Sequence, residues 1–358
     1  MRRRPRILTL IATMATVAAA ALGTAGTAHA GVVGLQDDQL PNYVGQPLVE
    51  RLDLLAATKT RTTRVDVLWD QVAPTRPADA TDPADPASRW GRYDAIFRGL
   101  AQHDITPIVD FYRTPPWATA AGTVAAAPPP GDAGRFAGAL ARRYSGTFRD
   151  EAGRVLPRVR FFEIWNEPNI DQFWTPQCRK GRNGAYVPIA ARRYALLAYV
   201  ASREIRRAQP DAVVIGGVAG PTGGLDDKRK RCVTGTESPA ASTMVRYLRA
   251  EGVRLDAWSQ HLYPIGPPDR AYAFPSWNSL PTLFTQLDKL RPNMPVYVTE
   301  TGYHTSYNRF HRYFVSEQQQ SDWLKRTMEM ADKYPRVVAT IWFNLQDNTG
   351  WTGGLYHS

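Results

Sequence analysis

A rhythm that begins at Gly31 constrains the fold more than anything else in the chain: a short β-rich run, a loop, then a helical pattern, again and again. The strand candidates are Gly31–Gln36, Arg64–Leu68, Thr106–Phe111, Val159–Ile164, Ala212–Gly216, Leu255–Ser259, Val296–Thr299 and Val337–Phe343. Several are almost continuously apolar, as parallel strands covered on both faces must be. Between them, Tyr194, Leu197, Ala198, Ala201 and Ile205 recur at helical spacing, with Arg203, Arg206 and Arg207 mostly opposite. Ser316 with Gln319 forms a capping-box pattern and predicts a helix through Met328 and Ala331. This alternation predicts an α/β fold, a (β/α)8 TIM barrel first and an open doubly wound sheet second. No glycine-rich phosphate fingerprint follows the first strand, which weighs against the nucleotide-binding alternative. Asn344 to Ser358 shows no helical pattern, so the barrel is expected to lack its last helix. The Pro- and Ala-rich stretches at 74–86 and 114–130 read as loops, leaving residues 31–358 as one domain.

The first thirty residues read differently. Arg2, Arg3, Arg4 and Arg6 form a basic head, Ile7 to about Gly23 an Ala-rich apolar stretch, and Ala28-His29-Ala30 a cleavage site. That is the pattern of a secretory signal peptide, too short and too weakly apolar for a membrane anchor. The expected location is therefore extracellular, with no membrane anchor in the mature chain. Without those four arginines the formal charge of +11 falls to +7. A basic secreted protein can bind acidic polymers, but this magnitude does not point to nucleic acid. Cys178 and Cys232 are the two cysteines, and in an oxidising compartment such a pair predicts a disulfide rather than a metal site.

Two segments carry chemistry. Phe161-Phe162-Glu163-Ile164-Trp165-Asn166-Glu167-Pro168-Asn169 runs a strand into Asn-Glu-Pro. Pro295-Val296-Tyr297-Val298-Thr299-Glu300-Thr301-Gly302-Tyr303 ends a second apolar strand in a carboxylate, followed by a glycine where the chain must turn. In a barrel the carboxyl ends of strands form the active-site face. Strands four and seven lie across the mouth from each other, which brings two carboxyl groups together. Such a pair suits glycoside hydrolysis with retention, which needs one acid/base and one nucleophile roughly 5–5.5 Å apart.

At these residues the chain resembles the retaining enzymes of glycoside hydrolase clan A, over essentially the whole length from the first strand to the eighth. Trp-Asn-Glu-Pro-Asn followed by Phe173-Trp174 looks most like families 5 and 39, with family 42 more distant. The resemblance implies Glu167 as acid/base, Glu300 as nucleophile and Asn166 as partner of the sugar 2-hydroxyl. It implies Arg64 as the strand-two arginine that keeps the nucleophile ionised, and His261 and Tyr263 as the strand-six pair, Tyr263 donating to the nucleophile. A structural histidine is the other reading of His261. Trp342 looks like the platform beneath the sugar; against it stands a core reading in which Phe343 faces out instead. Tyr112 and Trp117 are candidates for further sugar subsites, Trp69 and Trp174 weaker ones. A disulfide between Cys178 and Cys232 would join the loops after strands four and five. Those loops carry Arg179, Lys180 and Arg182, and Lys228, Arg229, Lys230 and Arg231, a basic rim that suits an acidic polysaccharide. The expected activity is thus hydrolysis of a carbohydrate substrate by a glycosidase without cofactor or metal. No His-Glu-x-x-His arrangement and no Gly-x-Ser-x-Gly elbow occurs. A non-catalytic carbohydrate-binding barrel and a transglycosylase with the same site are the alternatives.

Overall fold

The computed structural model describes residues 31–184, 186–221, 241–271, 276–307 and 313–357. The expected signal peptide, Cys232 and Lys228–Arg231 lie outside the described residues, and with Cys232 the expected disulfide. Eight strands form one parallel sheet: β1 (Val32–Gln36), β2 (Thr62–Leu68), β3 (Thr106–Tyr112), β4 (Phe161–Glu163), β5 (Val213–Ala219), β6 (Ala257–Gln260), β7 (Val296–Thr301) and β8 (Val337–Phe343). Their order is β1-β8-β7-β6-β5-β4-β3-β2, every pair parallel, which is a barrel opened at the seam between β1 and β2. The seam is tight: a Cβ added to Gly34 of β1 would stand 2.6 Å from the Thr62 side chain of β2. Gln36 also crosses it, donating to Asp66 at 3.3 Å.

Helices cover the outside: α1 (Gln46–Ala57), α2 (Gly91–Gln102), α3 (Pro130–Arg143), α4 (Ile189–Ala208), α5 (Ala241–Ala250), α6 (Leu280–Leu287) and α7 (Glu317–Asp332). Alanines on α3 and α4 bring these two helices close; a Cβ on Gly134 would lie 2.3 Å from Val200. The predicted capping box opens α7, Ser316 and Gln319 each bonding the other's backbone N–H, at 3.2 and 2.9 Å. No helix follows β8 among the described residues, as the sequence led us to expect. Outward-facing Val33 of β1 consequently stays 52% exposed. No described helix is long and apolar enough to cross a membrane.

Seven of the eight strands differ from expectation by one to three residues at an end, and two of these differences shape the site. β4 stops at Glu163, because the chain leaves the ladder at Trp165, whose φ is +70°. β5 runs to Ala219, its last residues shifted in register against β6 by Gly217 at φ +83° and Val218 at φ +42°. Inside the barrel, Ile108, Ile215, Ala257 and Ile341 fill the lower half, with Phe161, Val213 and Tyr297 packed against them nearer the amino-terminal opening. Above this layer the inward positions become polar.

Candidate active site

Local backbone geometry sets out the acid. Trp165 and Glu167 both have positive φ, +70° and +39°, a conformation that costs on the order of 1–3 kcal/mol for a non-glycine residue. Surrounding contacts hold it. The Trp165 indole is fully buried against Trp174 and Phe111, and its N–H donates to the Phe173 carbonyl at 3.0 Å. Tyr194 of α4 pins the strand ends, donating to the Ile164 carbonyl and accepting from Gly217 N–H. The Glu167 N–H then bonds the Val218 carbonyl at 3.0 Å. Gly220 completes the arrangement, since a Cβ there would stand 2.8 Å from Glu167 Oε1.

Across the mouth, Glu300 follows Thr299 near the end of β7. Gly302, expected to serve a turn, is needed for packing: a Cβ would come within 2.3 Å of the Phe343 carbonyl oxygen. Glu300 accepts from Arg64 Nη1 at 2.7 Å and from the Tyr263 hydroxyl at 2.7 Å. His261 Nδ1 lies 2.8 Å from Glu167 Oε1 and 3.4 Å from Glu300 Oε2. One oxygen from each glutamate and one His261 nitrogen all fall within 4.8 Å of one another. Asn166 turns its carbonyl oxygen to Arg64 at 2.9 Å, which leaves its amide N–H groups to donate elsewhere.

Arg64 organises more than its sequence reading implied. Its fully buried guanidinium also bonds Glu163 at 2.6 Å, Asp110 at 2.9 Å and Asp66 at 3.2 Å. Burial opposes its charge, yet Asp110, Glu163, Asp66 and Glu300 together hold it well above the usual arginine range. One cation among four carboxylates cannot keep all of them ionised. Burial drives Asp110 far up, and Asp66 and Glu163 add to this against the pull of Arg64. Glu300 is likewise raised, by burial and by Glu167, against His261, Arg64 and Tyr263. Arg64 favours the charged form of Glu300 and so limits the rise that burial imposes. His261 is raised despite burial, because Glu300 and Glu167 flank it.

Sequence reasoning missed Glu163, Asp110 and Asp66, although each interrupts an apolar run at an inward strand position. It also misplaced the platform. β8 pairs with β1 so that Trp342 sits beside Leu35 and Phe343 beside Gln36. Trp342 therefore faces outward, 2% exposed in the core, with its ring 6.1 Å from Tyr303. Phe343 faces the mouth, half-buried, with its ring 6.5 Å from Tyr263 and 5.0 Å from Trp351. Trp351, in a tail that looked featureless, packs on Tyr263 at 5.1 Å and on His304 at 3.8 Å. Tyr112 is at the end of β3 with its ring against Phe173 at 5.8 Å, close enough for Asp66 and Asp110 to raise it after burial does. Trp117, in the loop after β3, is occupied by the segment that follows β2: Arg76 lies over its ring at 4.5 Å, Trp69 packs edgewise at 5.7 Å, and its N–H donates to the Ala73 carbonyl. Trp69 and Trp174 are core residues, 1% and 0% exposed.

At the rim, Asp38 joins the loop after β1 to the tail after β8, accepting from Asn344 and from Asn348 at 2.9 Å. Burial pushes its carboxyl up to about 7, with donation from Asn344 opposing. Glu167, His261 and Glu300 have the donor types of a metal site. Glu300, however, already accepts from Arg64 and Tyr263, and a cation on it would face that guanidinium.

No protein-family model matches the sequence, and no curated protein matches it. Solved structures do match. A family 39 glycoside hydrolase from Bacteroides cellulosilyticus superposes with a TM-score of 0.60 at 20% identity, over 92% of this chain and 61% of that one. A family 39 β-xylosidase from Caulobacter crescentus gives 0.58 at 16% identity, over 90% and 64%. The virulence factor SghA from Agrobacterium tumefaciens gives 0.56 at 14% identity, over 92% of each chain. This chain spans about three fifths of the length of the family 39 structures it matches. At such identities the likeness establishes the fold: the chain is a (β/α)8 barrel, like these hydrolases.

Proposed function

We propose that the chain is a retaining β-glycosidase that hydrolyses O-glycosidic bonds through a covalent glycosyl-enzyme. The observation that carries this reading is the approach of Glu167 and Glu300 oxygens to within 4.8 Å at the carboxyl ends of the strands. That suits carboxyl groups about 5–5.5 Å apart, as retention requires, and not the roughly 6.5–9.5 Å that inversion needs to admit water. The donors divide the roles. Arg64 and Tyr263 both stabilise negative charge on Glu300, while Glu167 is hydrogen-bonded to His261 Nδ1.

In the first displacement a Glu300 oxygen bonds the anomeric carbon as the glycosidic C–O bond breaks, and Glu167 protonates the departing oxygen. In the second, Glu167 takes a proton from water, the water oxygen bonds the anomeric carbon, and Glu300 leaves as carboxylate. Asn166 donates to the sugar 2-hydroxyl, and Phe343 with Tyr263 and Trp351 offers an apolar wall to the sugar ring. The neighbours include a β-xylosidase and a glucosidase, which makes neutral β-glycosides the first substrates to try. Export by the N-terminal signal, a Cys178–Cys232 disulfide and attraction of an acidic polysaccharide to Arg179, Lys180 and Arg182 belong to the same reading.

Aryl β-glycosides, xylans, glucans, mannans and acidic exopolysaccharides should be assayed with wild type, Glu167→Ala and Glu300→Ala. One class should be cleaved, with both variants crippled and azide restoring Glu300→Ala as an inverted glycosyl azide. A folded wild type that binds glycans and cleaves none would replace this reading with a carbohydrate-binding barrel.

A further inference from the structure

At the opposite, amino-terminal end of the barrel lies an open cleft of about 410 Å³, within the size range of small-ligand sites. It runs between the last turn of α4 and the chain entering β6 and β7. Arg206, Arg254 and Arg291 supply its charge, and Val253, Leu255, Leu290 and Met294 its apolar walls. The negative groups of the cleft are the Asp256 carboxylate and the carbonyl end of α4.

These charges do not cancel. Arg206 spends one nitrogen on Asp256, at 2.7 Å, and Asp256 is further occupied by the Val214 N–H. The other terminal nitrogen of Arg206 is buried with no partner among the described residues. Arg291 bonds backbone carbonyls, those of Leu255 and Asp256, and meets no carboxylate among the described residues. Arg254 is exposed and makes no ion pair among the described residues. Three guanidiniums therefore face one carboxylate, and a buried N–H lacks an acceptor. An oxygen ligand would supply the missing acceptor.

We infer that this cleft is a second glycan-binding site, distinct from the catalytic mouth, which holds a carboxylate-bearing oligosaccharide. Guanidiniums pair bidentately with uronate carboxylates, while the aliphatic walls cover the sugar face. A polymer held there stays with the enzyme when the cleavage site releases it.

The test is calorimetric titration of trigalacturonate and, separately, cellotriose into the full chain carrying Glu300→Gln, so that nothing is hydrolysed. Binding is read independently of turnover, and failure of the glycosidase reading leaves the result unchanged. Trigalacturonate should bind and cellotriose should not. Adding Arg254→Ser, which breaks no hydrogen bond or ion pair among the described residues, should weaken trigalacturonate roughly tenfold, as loss of one charge-assisted bond predicts. Lys325→Ser, an equal charge change on exposed α7, should leave it within about twofold of the parent. Equal weakening by the two substitutions, no effect of Arg254→Ser, equal binding of cellotriose, or tighter binding of a DNA duplex than of trigalacturonate at the same salt would each overturn the inference.

Discussion

The two halves of the barrel interior are built from the same strands and differ by one inward step. Ile108 becomes Asp110 on β3, Phe161 becomes Glu163 on β4, and Ile341 becomes Phe343 on β8. Below, Ile108, Ile215, Ala257 and Ile341 pack as an apolar plug. Above, Asp66, Asp110, Glu163 and Glu300 crowd around Arg64, where burial works against every charge. Apolar burial in the lower half stabilises the fold, whereas the upper half stores charge at a cost that only chemistry explains. Mutations in the two halves should therefore separate stability from activity.

The sharpest separation is Glu300→Gln against Ile215→Ala. Glu300→Gln should lower kcat/KM by roughly 10⁴-fold or more, with unchanged or higher thermal stability, because one crowded charge is gone. Ile215→Ala should cost about 2–5 kcal/mol in urea unfolding and leave kcat near wild type. If Glu300→Gln unfolds the protein or Ile215→Ala abolishes turnover, the division between halves is wrong.

Arg64→Met comes next, since Arg64 is the one residue on which both properties hang. Removing one partner of a buried ionic network costs about 3–5 kcal/mol. The sign with pH follows from the carboxylates left behind. Asp110 and Glu300 are already raised, and without Arg64 their folded pKa values rise further above the unfolded ones, so stability is lost as pH increases through that range. Urea melts at pH 5 and pH 8 should show the larger loss at pH 8. A loss independent of pH would mean that Arg64 acts through packing alone.

Much of this was legible in the chain, and the failures have a common cause. Eight apolar runs with helical patterns between them were readable because period and burial are local properties. Glu167 and Glu300 stood out because each ends a strand. Glu163, Asp110 and Asp66 were equally visible as charges within apolar runs. What was missing was their partner, since Arg64 is separated from Glu163 by 99 residues and from Asp110 by 46. Trp342 was misassigned for another reason. Adjacent residues on a strand face opposite sides, and which one faces inward depends on register with β1 at the far end of the chain, where Leu35 pairs with Trp342 and Gln36 with Phe343.

The platform correction yields a paired prediction of moderate size. Trp342→Ala should cost about 3–5 kcal/mol of stability, as removal of a buried indole does, with kcat/KM close to wild type in the folded fraction. Phe343→Ala should cost less stability and raise KM about tenfold, the loss of one aromatic contact to the sugar. Steady-state kinetics beside thermal melts of both variants decide this; a KM effect confined to Trp342→Ala would restore the original assignment.

The smallest structural change tests how finely the upper half is balanced. Tyr263→Phe deletes a single hydroxyl, leaving its ring between Phe343 and Trp351 and the Arg64 contact to Glu300 intact. The hydroxyl donates to Glu300 at 2.7 Å and so favours its charged form. Its loss removes a hydrogen bond to an ion, about 1.5–3 kcal/mol, or roughly ten- to a hundredfold in kcat/KM. The acidic limb of the pH profile reports Glu300 in the free enzyme and should already lie above the ordinary carboxylate value in wild type, because burial raises it. In Tyr263→Phe that limb should move to still higher pH, since a donor to the carboxylate is gone. A fall in rate with the limb unmoved would place the hydroxyl on the sugar instead, and Arg64 would then be the group that governs ionisation of Glu300.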